Sequence, residues 1–162
     1  MDLEPLFLRP SSLRPFTAAL AAKLAEFEPD AICGPLVGGA LVAQLIALEL
    51  DVEFLFTERL SLPQGAALLA ARYRLPEPLR PAATGRRVAV VDDLISAGSS
   101  ARATIEELHL HGASVVTIGA LLVMGEGAND LTIQTLGRVP YRLWDPAACP
   151  NCARGVQLED VR

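Results

Sequence analysis

The residues best suited to chemistry lie in one run of thirteen, from Val88 to Ser100, which reads VAVVDDLISAGSS. Its four apolar β-formers predict a buried strand, and the adjacent acids Asp92 and Asp93 follow at the end of that strand. Small residues then lead into a helix predicted from 101 to 110. Backbone N–H groups at a helix N-terminus bind phosphate, and neighbouring carboxylates bind sugar hydroxyls or hydrated Mg²⁺. The run therefore predicts a phosphate site with an acid pair beside it.

This run differs from the two best-known phosphate-binding turns. It contains neither Gly-x-x-x-x-Gly-Lys-Ser/Thr nor Gly-x-Gly-x-x-Gly. The alternative interpretation is an ordinary strand, turn and helix in which Asp92 and Asp93 are solvated turn residues. We favour ligand binding, because adjacent acids that end an apolar strand pack poorly and make good ligand groups.

A second glycine-rich turn follows an earlier apolar strand and reads Cys-Gly-Pro-Leu-Val-Gly-Gly from Cys33. Two adjacent glycines, Gly38 and Gly39, precede a predicted helix and permit close approach of the backbone to an anion. Taken alone, this turn is equally well explained as an ordinary connection between a strand and a helix.

Composition limits the class of protein. The chain has 162 residues, of which 51% are hydrophobic and 20% charged, typical of one globular domain with a sizeable core. A net charge of −5 argues against a general nucleic-acid partner. No apolar run suits a membrane span, and the N-terminus lacks the basic region of a signal peptide, so we expect no membrane partner and a cytoplasmic location.

The hydrophobic pattern alternates strands with helices. The predicted helices are 11–27 (capped by Ser11 or Ser12), 38–48 and 101–111, and the predicted strands are 31–33, 52–57, 88–93, 115–123 and an edge strand at 141–144. Residues 58–85 read as a long loop or irregular hairpin with a returning strand at 73–75. Such alternation predicts an α/β fold with a parallel sheet, in which the turns after Cys33, Thr57, Asp93 and Val123 share one edge.

All thirteen positions of the 88–100 run resemble the phosphoribosyl pyrophosphate signature of the type I phosphoribosyltransferases. The resemblance implies that Asp92 and Asp93 bind the two ribose hydroxyls of the donor. It also implies two phosphate-binding segments: the 5′-phosphate is wrapped by Ser96, Ala97, Gly98, Ser99 and Ser100, and the pyrophosphate is bound by Leu36, Val37, Gly38 and Gly39.

A narrower resemblance, covering about residues 31 to 158, is to bacterial orotate phosphoribosyltransferases. It rests on the segments CGPLVGGA from Cys33, FTER from Phe56, the acid-pair run, WDP from Trp144 and CPNCARG from Cys149. The implied fold is the type I phosphoribosyltransferase fold, a twisted, mainly parallel sheet flanked by helices. A small hood would come from the termini, about 1–28 and 137–162, within a single domain 1–162. Family members are usually homodimers.

The implied reaction moves a phosphoribosyl group from phosphoribosyl pyrophosphate to a nucleobase, with orotate the leading acceptor, in pyrimidine nucleotide biosynthesis. Mg²⁺ would be held mainly by the substrate, with no metal ligand assigned among the protein side chains. Basic residues on a flexible loop would neutralise the departing pyrophosphate. Lys23 is the only lysine and lies elsewhere, so the candidates are Arg59, Arg72 and Arg74, which can bind phosphate bidentately or remain solvated.

The acceptor side departs from the family pattern. Met124-Gly125-Glu126 places an acid where the family usually has Asp-Arg, and the N-terminal segment lacks the family's glycine. Two alternatives therefore stay open beside the orotate enzyme. One is a non-catalytic regulator that binds phosphoribosyl pyrophosphate or a nucleotide on the same fold, and the other is a phosphoribosyltransferase for another base.

The three cysteines are the remaining candidates for metal binding or thiol chemistry. Cys149 and Cys152 form a Cys-x-x-Cys pair, but structural zinc needs four ligands and Cys33 lies far away in a predicted core strand. The alternatives are a compact C-terminal turn with idle thiols or a zinc shared across a dimer. A disulfide framework is not predicted from three cysteines.

Overall fold

The computed structural model describes residues 4–61, 71–126, 128–140, 144 and 148–156. Six strands form one sheet: β1 (Ala31–Pro35), β2 (Glu53–Arg59), β3 (Tyr73–Arg74), β4 (Arg87–Ile95), β5 (Ser114–Met124) and β6 (Ile133–Val139). The helices are α1 (Glu4–Phe7), α2 (Pro10–Ala25), α3 (Gly38–Leu50), α4 (Arg80–Ala83), α5 (Ser99–Leu110) and α6 (Pro150–Ala153), with a 3₁₀ turn at Glu77–Leu79.

The strand order is β3-β2-β1-β4-β5-β6. Every neighbouring pair is parallel except β2 and β3, which are antiparallel. The sheet is therefore mixed but mostly parallel, as the sequence predicted. None of the described helices combines the length and apolar character needed to cross a membrane.

Helices cover both faces of the sheet. On one face, α2 and α3 pack through Leu20, Leu24 and Ile46 against strand residues that include Ile32 and Val91. On the opposite face, Leu108 of α5 packs among strand residues of β1, β2 and β4. Successive residues of the central strands thus enter different cores, which is why β1 and the first half of β4 are apolar without interruption.

The two central strands separate toward their carboxyl ends. β1 pairs with β4 only from Ala31 to Cys33, whereas its pairing with β2 continues to Pro35. The chain leaves β1 toward β2 on one side and returns as β4 on the other. Ligands of open α/β sheets bind at such a point, in the crevice beyond the strand ends.

One irregularity interrupts the pairing of β4 with β5. Val88 pairs with Val115, but Ala89 pairs with Thr117, so Val116 is an extra residue in β5. This β-bulge changes which side chains of β5 face each core. Ala120 consequently lies beside Asp92 on the face covered by α5.

Several predicted boundaries were wrong. The first long helix begins at Pro10 and ends at Ala25, so Ser11 and Ser12 lie inside it rather than capping it. Arg9 precedes the helix without a side-chain cap, and the fixed φ of proline suits the first helical position. A short helix, α1, precedes this one and was not predicted.

The strands also extend past their predicted ends. Gly34 and Pro35 belong to β1, because both are aligned with residues of β2. The acid pair likewise lies inside β4 and not at its end, since β4 continues beside β5 to Ile95 after it has left β1.

The segment 58–85 is more ordered than predicted over its described part. The returning strand is confirmed at Tyr73–Arg74, but Glu77–Leu79 and Arg80–Ala83 form helical turns where a loop was expected. Residues 62–70 and 141–143 lie outside the described residues, so most of the strand predicted at 141–144 cannot be compared. The edge strand that the structure describes is β6, which the sequence prediction missed.

A buried pair of hydroxyls joins α5 to β2. The Oγ1 atoms of Thr57 and Thr104 lie 2.9 Å apart, and both residues are fully buried. We predict that Thr57→Val lowers the free energy of unfolding by about 1–3 kcal/mol, because the hydroxyl of Thr104 is left buried without its partner. Urea denaturation measures this loss.

The double variant Thr57→Val, Thr104→Val is the matched control. Removing both hydroxyls leaves no orphaned group, so most of the lost stability should return. A double variant that loses the sum of the two single effects would contradict this account of the pair.

Candidate functional site

The acid pair lies at the crevice between β1 and β4. Asp92 and Asp93 follow Val91 on the part of β4 that has already separated from β1. Asp92 shares its face with Val90 and is only 6% exposed, while Asp93 is half-buried. The two carboxylates leave the strand on opposite faces, so together they flank the crevice.

Two hydrogen bonds hold the Asp92 carboxylate. The hydroxyl of Ser100 donates to Oδ2 at 2.9 Å, and the backbone N–H of Asp93 donates to Oδ1 at 3.0 Å. Both bonds favour the ionised form. Burial and the neighbouring Asp93 carboxyl nevertheless raise the pKa of Asp92 well above its ordinary value. The site therefore holds a carboxyl group whose ionisation is opposed by its surroundings.

The glycine pair contacts the acid pair directly. A Cβ atom at Gly38 would lie 2.6 Å from Oδ2 of Asp93, and one at Gly39 would lie 2.6 Å from Oδ1 of Asp92. Any larger residue would displace the carboxylates, so glycine is required at both positions. The structure thus brings together the two motifs that are separated by about fifty residues in the sequence.

The same close packing continues back into β1. A Cβ atom at Gly34 would overlap the carbonyl oxygen of Gly39, so the start of α3 rests on the end of β1. Between them, the turn at Leu36 and Val37 contains a cis peptide bond and exposes Val37 by 70%. This turn is therefore exposed beside the carboxylates.

The loop from Ser96 to Ser100 forms the other wall. Gly98 is the N-cap of α5 and has φ +75°, a conformation that favours glycine. Because α5 begins at Ser99, the free N–H groups of its first turn gather at this loop. Two helix N-termini, those of α3 and α5, therefore meet at the acid pair, an arrangement suited to anionic groups.

Arg59 and Tyr73 lie together at the edge of β2 and β3. They are paired across the two strands, and by alternation they share the face of the buried Thr57, which is also the face of Asp92. Burial raises the pKa of the Tyr73 hydroxyl, the charge of Arg59 opposes that rise, and the charge of Asp92 adds to it. Both charges are thus felt at the tyrosine, which the sequence analysis did not select although arginines flank it.

The other predicted arginines are placed differently. Arg74 pairs with Glu58 at 2.9 Å on the opposite face of the strands, and Arg72 is exposed. Of the three, the structure brings Arg59 toward the acid pair and engages Arg74 in an ion pair. The catalytic roles of all three arginines remain predictions.

A glycine and an acid follow the end of β5. Gly125 has φ +69° and donates its N–H to the carbonyl of Val139 at 3.0 Å, which turns the chain outward. Glu126 follows as an exposed acid at the same edge of the sheet as Asp92. Glu126 thus puts a negative charge at the position where the resemblance stated from the sequence implies Asp-Arg.

The described residues contain no group of three or more His, Cys, Asp or Glu side chains arranged to hold a metal ion. The carboxylates of Asp92 and Asp93 are hard oxygen donors at the crevice, and a Mg²⁺ ion held there would need further oxygens from a bound ligand or from water. The residues present therefore fit a Mg²⁺ ion that is shared with a ligand.

The three cysteines are free thiols. Cys33 is buried in β1, and burial raises its pKa. A hydrogen bond from the backbone N–H of Cys152 lowers the pKa of Cys149, whereas the bond between the two thiols raises that of Cys152. The pair therefore contains one activated and one suppressed thiol.

Comparison with known proteins agrees with this geometry. A family model described as phosphoribosyl transferase domain matches residues 12–133. The orotate phosphoribosyltransferase of Desulforamulus reducens is 34% identical, over 87% of this chain and 72% of that protein. That of Thermotoga petrophila is 30% identical, over 86% of this chain and 71% of that protein.

Solved structures share the fold. The orotate phosphoribosyltransferase from Aeropyrum pernix superposes with a TM-score of 0.65 at 23% identity, covering 86% of this chain and 78% of that one. The adenine phosphoribosyltransferase from Thermoanaerobacter pseudethanolicus gives 0.65 at 21% identity, covering 85% and 86%.

The chain belongs to the phosphoribosyl transferase domain family. Membership confirms the resemblance to the phosphoribosyltransferases stated from the sequence and the type I fold class that it implied.

Replacing the buried acid Asp92 should change the way the stability of the protein depends on pH. An acid whose pKa is raised on folding contributes stability at low pH, and this contribution is lost as pH rises above its ordinary value of 3.8. We predict that Asp92→Asn raises the free energy of unfolding at about pH 8 and that this gain shrinks toward about pH 4. Urea denaturation across this range tests it, and a variant that is less stable at every pH would contradict it.

The thiols should react in a fixed order. At about pH 7.5, iodoacetamide should modify Cys149 first, because more of it is thiolate, then Cys152, and Cys33 only after unfolding. Mass spectrometry of the labelled peptides gives the order, with urea-unfolded protein as the control in which the rates converge. Labelling of Cys33 in the folded protein at the rate of Cys149 would contradict this prediction.

Proposed function

We propose that this chain transfers the phosphoribosyl group of phosphoribosyl pyrophosphate to orotate, releasing pyrophosphate and forming a pyrimidine nucleotide. The observation that carries the proposal is the contact of Gly38 and Gly39 with the two carboxylates of Asp93 and Asp92. Together with the hydrogen bond from Ser100 to Asp92, this contact supports a site in which the 36–39 turn and the 96–100 loop lie on either side of the acid pair, as a donor with phosphate at both ends of a ribose would require. Orotate is the acceptor named for the curated relatives.

The donor would lie across the crevice. Asp92 and Asp93 would accept hydrogen bonds from the two ribose hydroxyls, since carboxylates on opposite faces of β4 reach both sides of the opening. The loop 96–100 would bind the 5′-phosphate through the N–H groups that start α5. The exposed turn at 36–39 would bind the pyrophosphate at the start of α3.

The reaction needs charge to be held while the bond from the ribose carbon to pyrophosphate breaks. The electron pair leaves with the pyrophosphate and the sugar gains oxocarbenium character. A base nitrogen then attacks the opposite side of that carbon and loses its proton to solvent or to the released pyrophosphate. Arg59 is the described cation best placed to neutralise the leaving group, because it shares a face with Asp92. Bound Mg²⁺ would supply additional charge neutralisation on the pyrophosphate.

Arg72 and Arg74 are proposed for secondary parts of that role. Arg74 would have to leave Glu58, and both side chains of that pair are about half exposed, so the cost of separation is small. Arg72 is exposed and has no such competitor among the ion pairs described.

A homodimer is the proposed assembly. Leu41 and Leu48 of α3 are 39% and 79% exposed, and they lie two turns apart on one side of the helix. They form an exposed apolar stripe that a second copy of the chain could cover. A hood from about 1–28 and 137–162, within a single domain, completes the proposed architecture. The proposed compartment is the cytoplasm, where the free thiols would stay reduced.

The function is tested by incubating the protein with Mg²⁺, phosphoribosyl pyrophosphate and a panel of bases while pyrophosphate release is followed. We expect turnover with orotate. Turnover with another base but not with orotate would show that this other base is the acceptor. Donor binding by calorimetry without turnover on any base would favour the regulator.

The donor site is tested by removing its charges. Asp92→Asn together with Asp93→Asn should abolish donor binding, a loss of at least about 100-fold, because both ribose acceptors lose their ionic character. Isothermal calorimetry with phosphoribosyl pyrophosphate measures the loss. Asp51→Asn is a matched control at the far end of α3 and should bind normally. Unchanged affinity in the double variant would refute the site.

A further inference from the structure

Arg102, in the first turns of α5, joins the 96–100 loop to the connection between β5 and β6. Its Nη1 donates to the carbonyl oxygen of Ala97 at 2.6 Å, and its Nη2 donates to the Asp130 carboxylate at 2.5 Å. The guanidinium therefore links one backbone carbonyl of the loop to a side chain 28 residues further along the chain.

The loop is packed tightly against this link. A Cβ atom at Gly98 would lie 2.7 Å from Nη1 of Arg102, 3.2 Å from Leu131 and 3.3 Å from Ala128. Gly98 is buried under these contacts. One side of the loop is thus occupied by Arg102 and the 128–131 turn, which leaves the other side for a ligand.

The bond to Ala97 fixes the direction of one peptide group. In a trans peptide, the C=O and the following N–H point to opposite sides. Since Arg102 holds the Ala97 carbonyl, the N–H of Gly98 is directed away from Arg102. Backbone N–H groups at such a loop are the donors that bind phosphate.

The charge of the pair is maintained at neutral pH. The hydrogen bond from Arg102 lowers the pKa of Asp130, so its carboxylate stays ionised. Asp130 is exposed, so its contribution lies in orienting the guanidinium rather than in global stability.

Building on the proposed function, we propose that Arg102 and Asp130 form a brace that positions the 96–100 loop for the 5′-phosphate of the donor. Arg102 is a positioning residue that acts through the Ala97 carbonyl and does not contact the phosphate. The resemblance to the phosphoribosyltransferases gave neither residue a role. The two side chains meet only in the folded chain, where the connection between β5 and β6 packs against α5.

The experiment compares Arg102→Ala, Arg102→Lys, Asp130→Ala and the double alanine variant with the wild-type protein. We expect each single alanine variant to raise the Kd and KM for phosphoribosyl pyrophosphate about five- to tenfold, with kcat within about twofold, since the loop binds a group that does not react. Arg102→Lys should restore part of the affinity. The double variant should be no weaker than the single variants, because both remove the same brace.

Arg86→Ala is the matched control. Arg86 also forms a surface ion pair, with Glu53 at 3.2 Å, but it lies at the opposite edge of the sheet, beside the start of β4. Its loss should leave donor affinity unchanged, and thermal unfolding should separate affinity changes from a reduced folded fraction.

Asp130→Ala is the decisive variant, because it keeps Arg102 but removes the carboxylate that holds its guanidinium. If Arg102 bound the phosphate directly, Asp130→Ala would bind the donor as well as or better than the wild type, which would overturn the brace. Unchanged affinity in Arg102→Ala, or an affinity loss fully explained by unfolding, would overturn it as well.

The two proposals can fail separately. Inorganic phosphate, titrated while the amide resonances of Gly98 and Ser99 are followed by NMR, reports on the loop without any transfer reaction. Equal phosphate affinity in wild type and Arg102→Ala overturns the brace. Failure of the wild type to turn over any base while its phosphate affinity exceeds that of Arg102→Ala overturns the proposed function and supports the brace.

Discussion

The structure depends on the approach of a helix start to a buried carboxylate. Asp92 is almost fully buried, and Gly39 packs against its Oδ1 with no space for a side chain. This contact requires β1 to leave β4 early, α3 to begin at the gap, and α5 to supply the Ser100 hydroxyl from the other side. Each of these features would be unnecessary in a protein that only had to bury its apolar strands.

The energetic cost of packing the start of α3 against the acid pair falls mainly on the carboxyl group of Asp92. Desolvation of Asp92 opposes its ionisation, and the neighbouring Asp93 adds to the opposition. Stability is thus lowered at the place where the donor's hydroxyls are proposed to bind, while the cores on both sides of the sheet are continuous and apolar. Active sites commonly carry such local instability on a well-packed scaffold.

Much of this could be predicted from the sequence, because the signals were local. The run from Val88 to Ser100 encodes a strand, an acid pair and a helix start within thirteen residues, and hydrophobic alternation was sufficient for the parallel sheet. The family follows from the same residues. β6 was missed because it is mostly half-buried and has little apolar contrast. The helix start at Pro10 was missed because Ser11 and Ser12, which are typical capping residues, directly follow the proline that begins the helix.

Other site features depend on contacts between distant segments and therefore had no local signal. The alignment of Arg59 with Tyr73 is set by a two-residue antiparallel ribbon, and the partnership of Arg102 with Asp130 by the packing of a connection against α5. From the sequence alone, Arg102 and Asp130 cannot be told from ordinary surface charges. Only the register of the strands decides that Arg59 lies on the face of Asp92 and that Arg74 lies on the other.

The bulge at Val116 bears on how this strand tolerates changes of length. Because Val116 is the extra residue, its deletion would leave a regular ladder in which all the remaining side chains of β5 keep their present faces. Removing Ala120 would instead invert the alternation beyond it and place Leu121, now in the α3 core, beside Asp92. Within β5, a residue can thus be lost at Val116 without changing the face on which the other side chains lie, whereas a loss closer to the carboxyl end changes it.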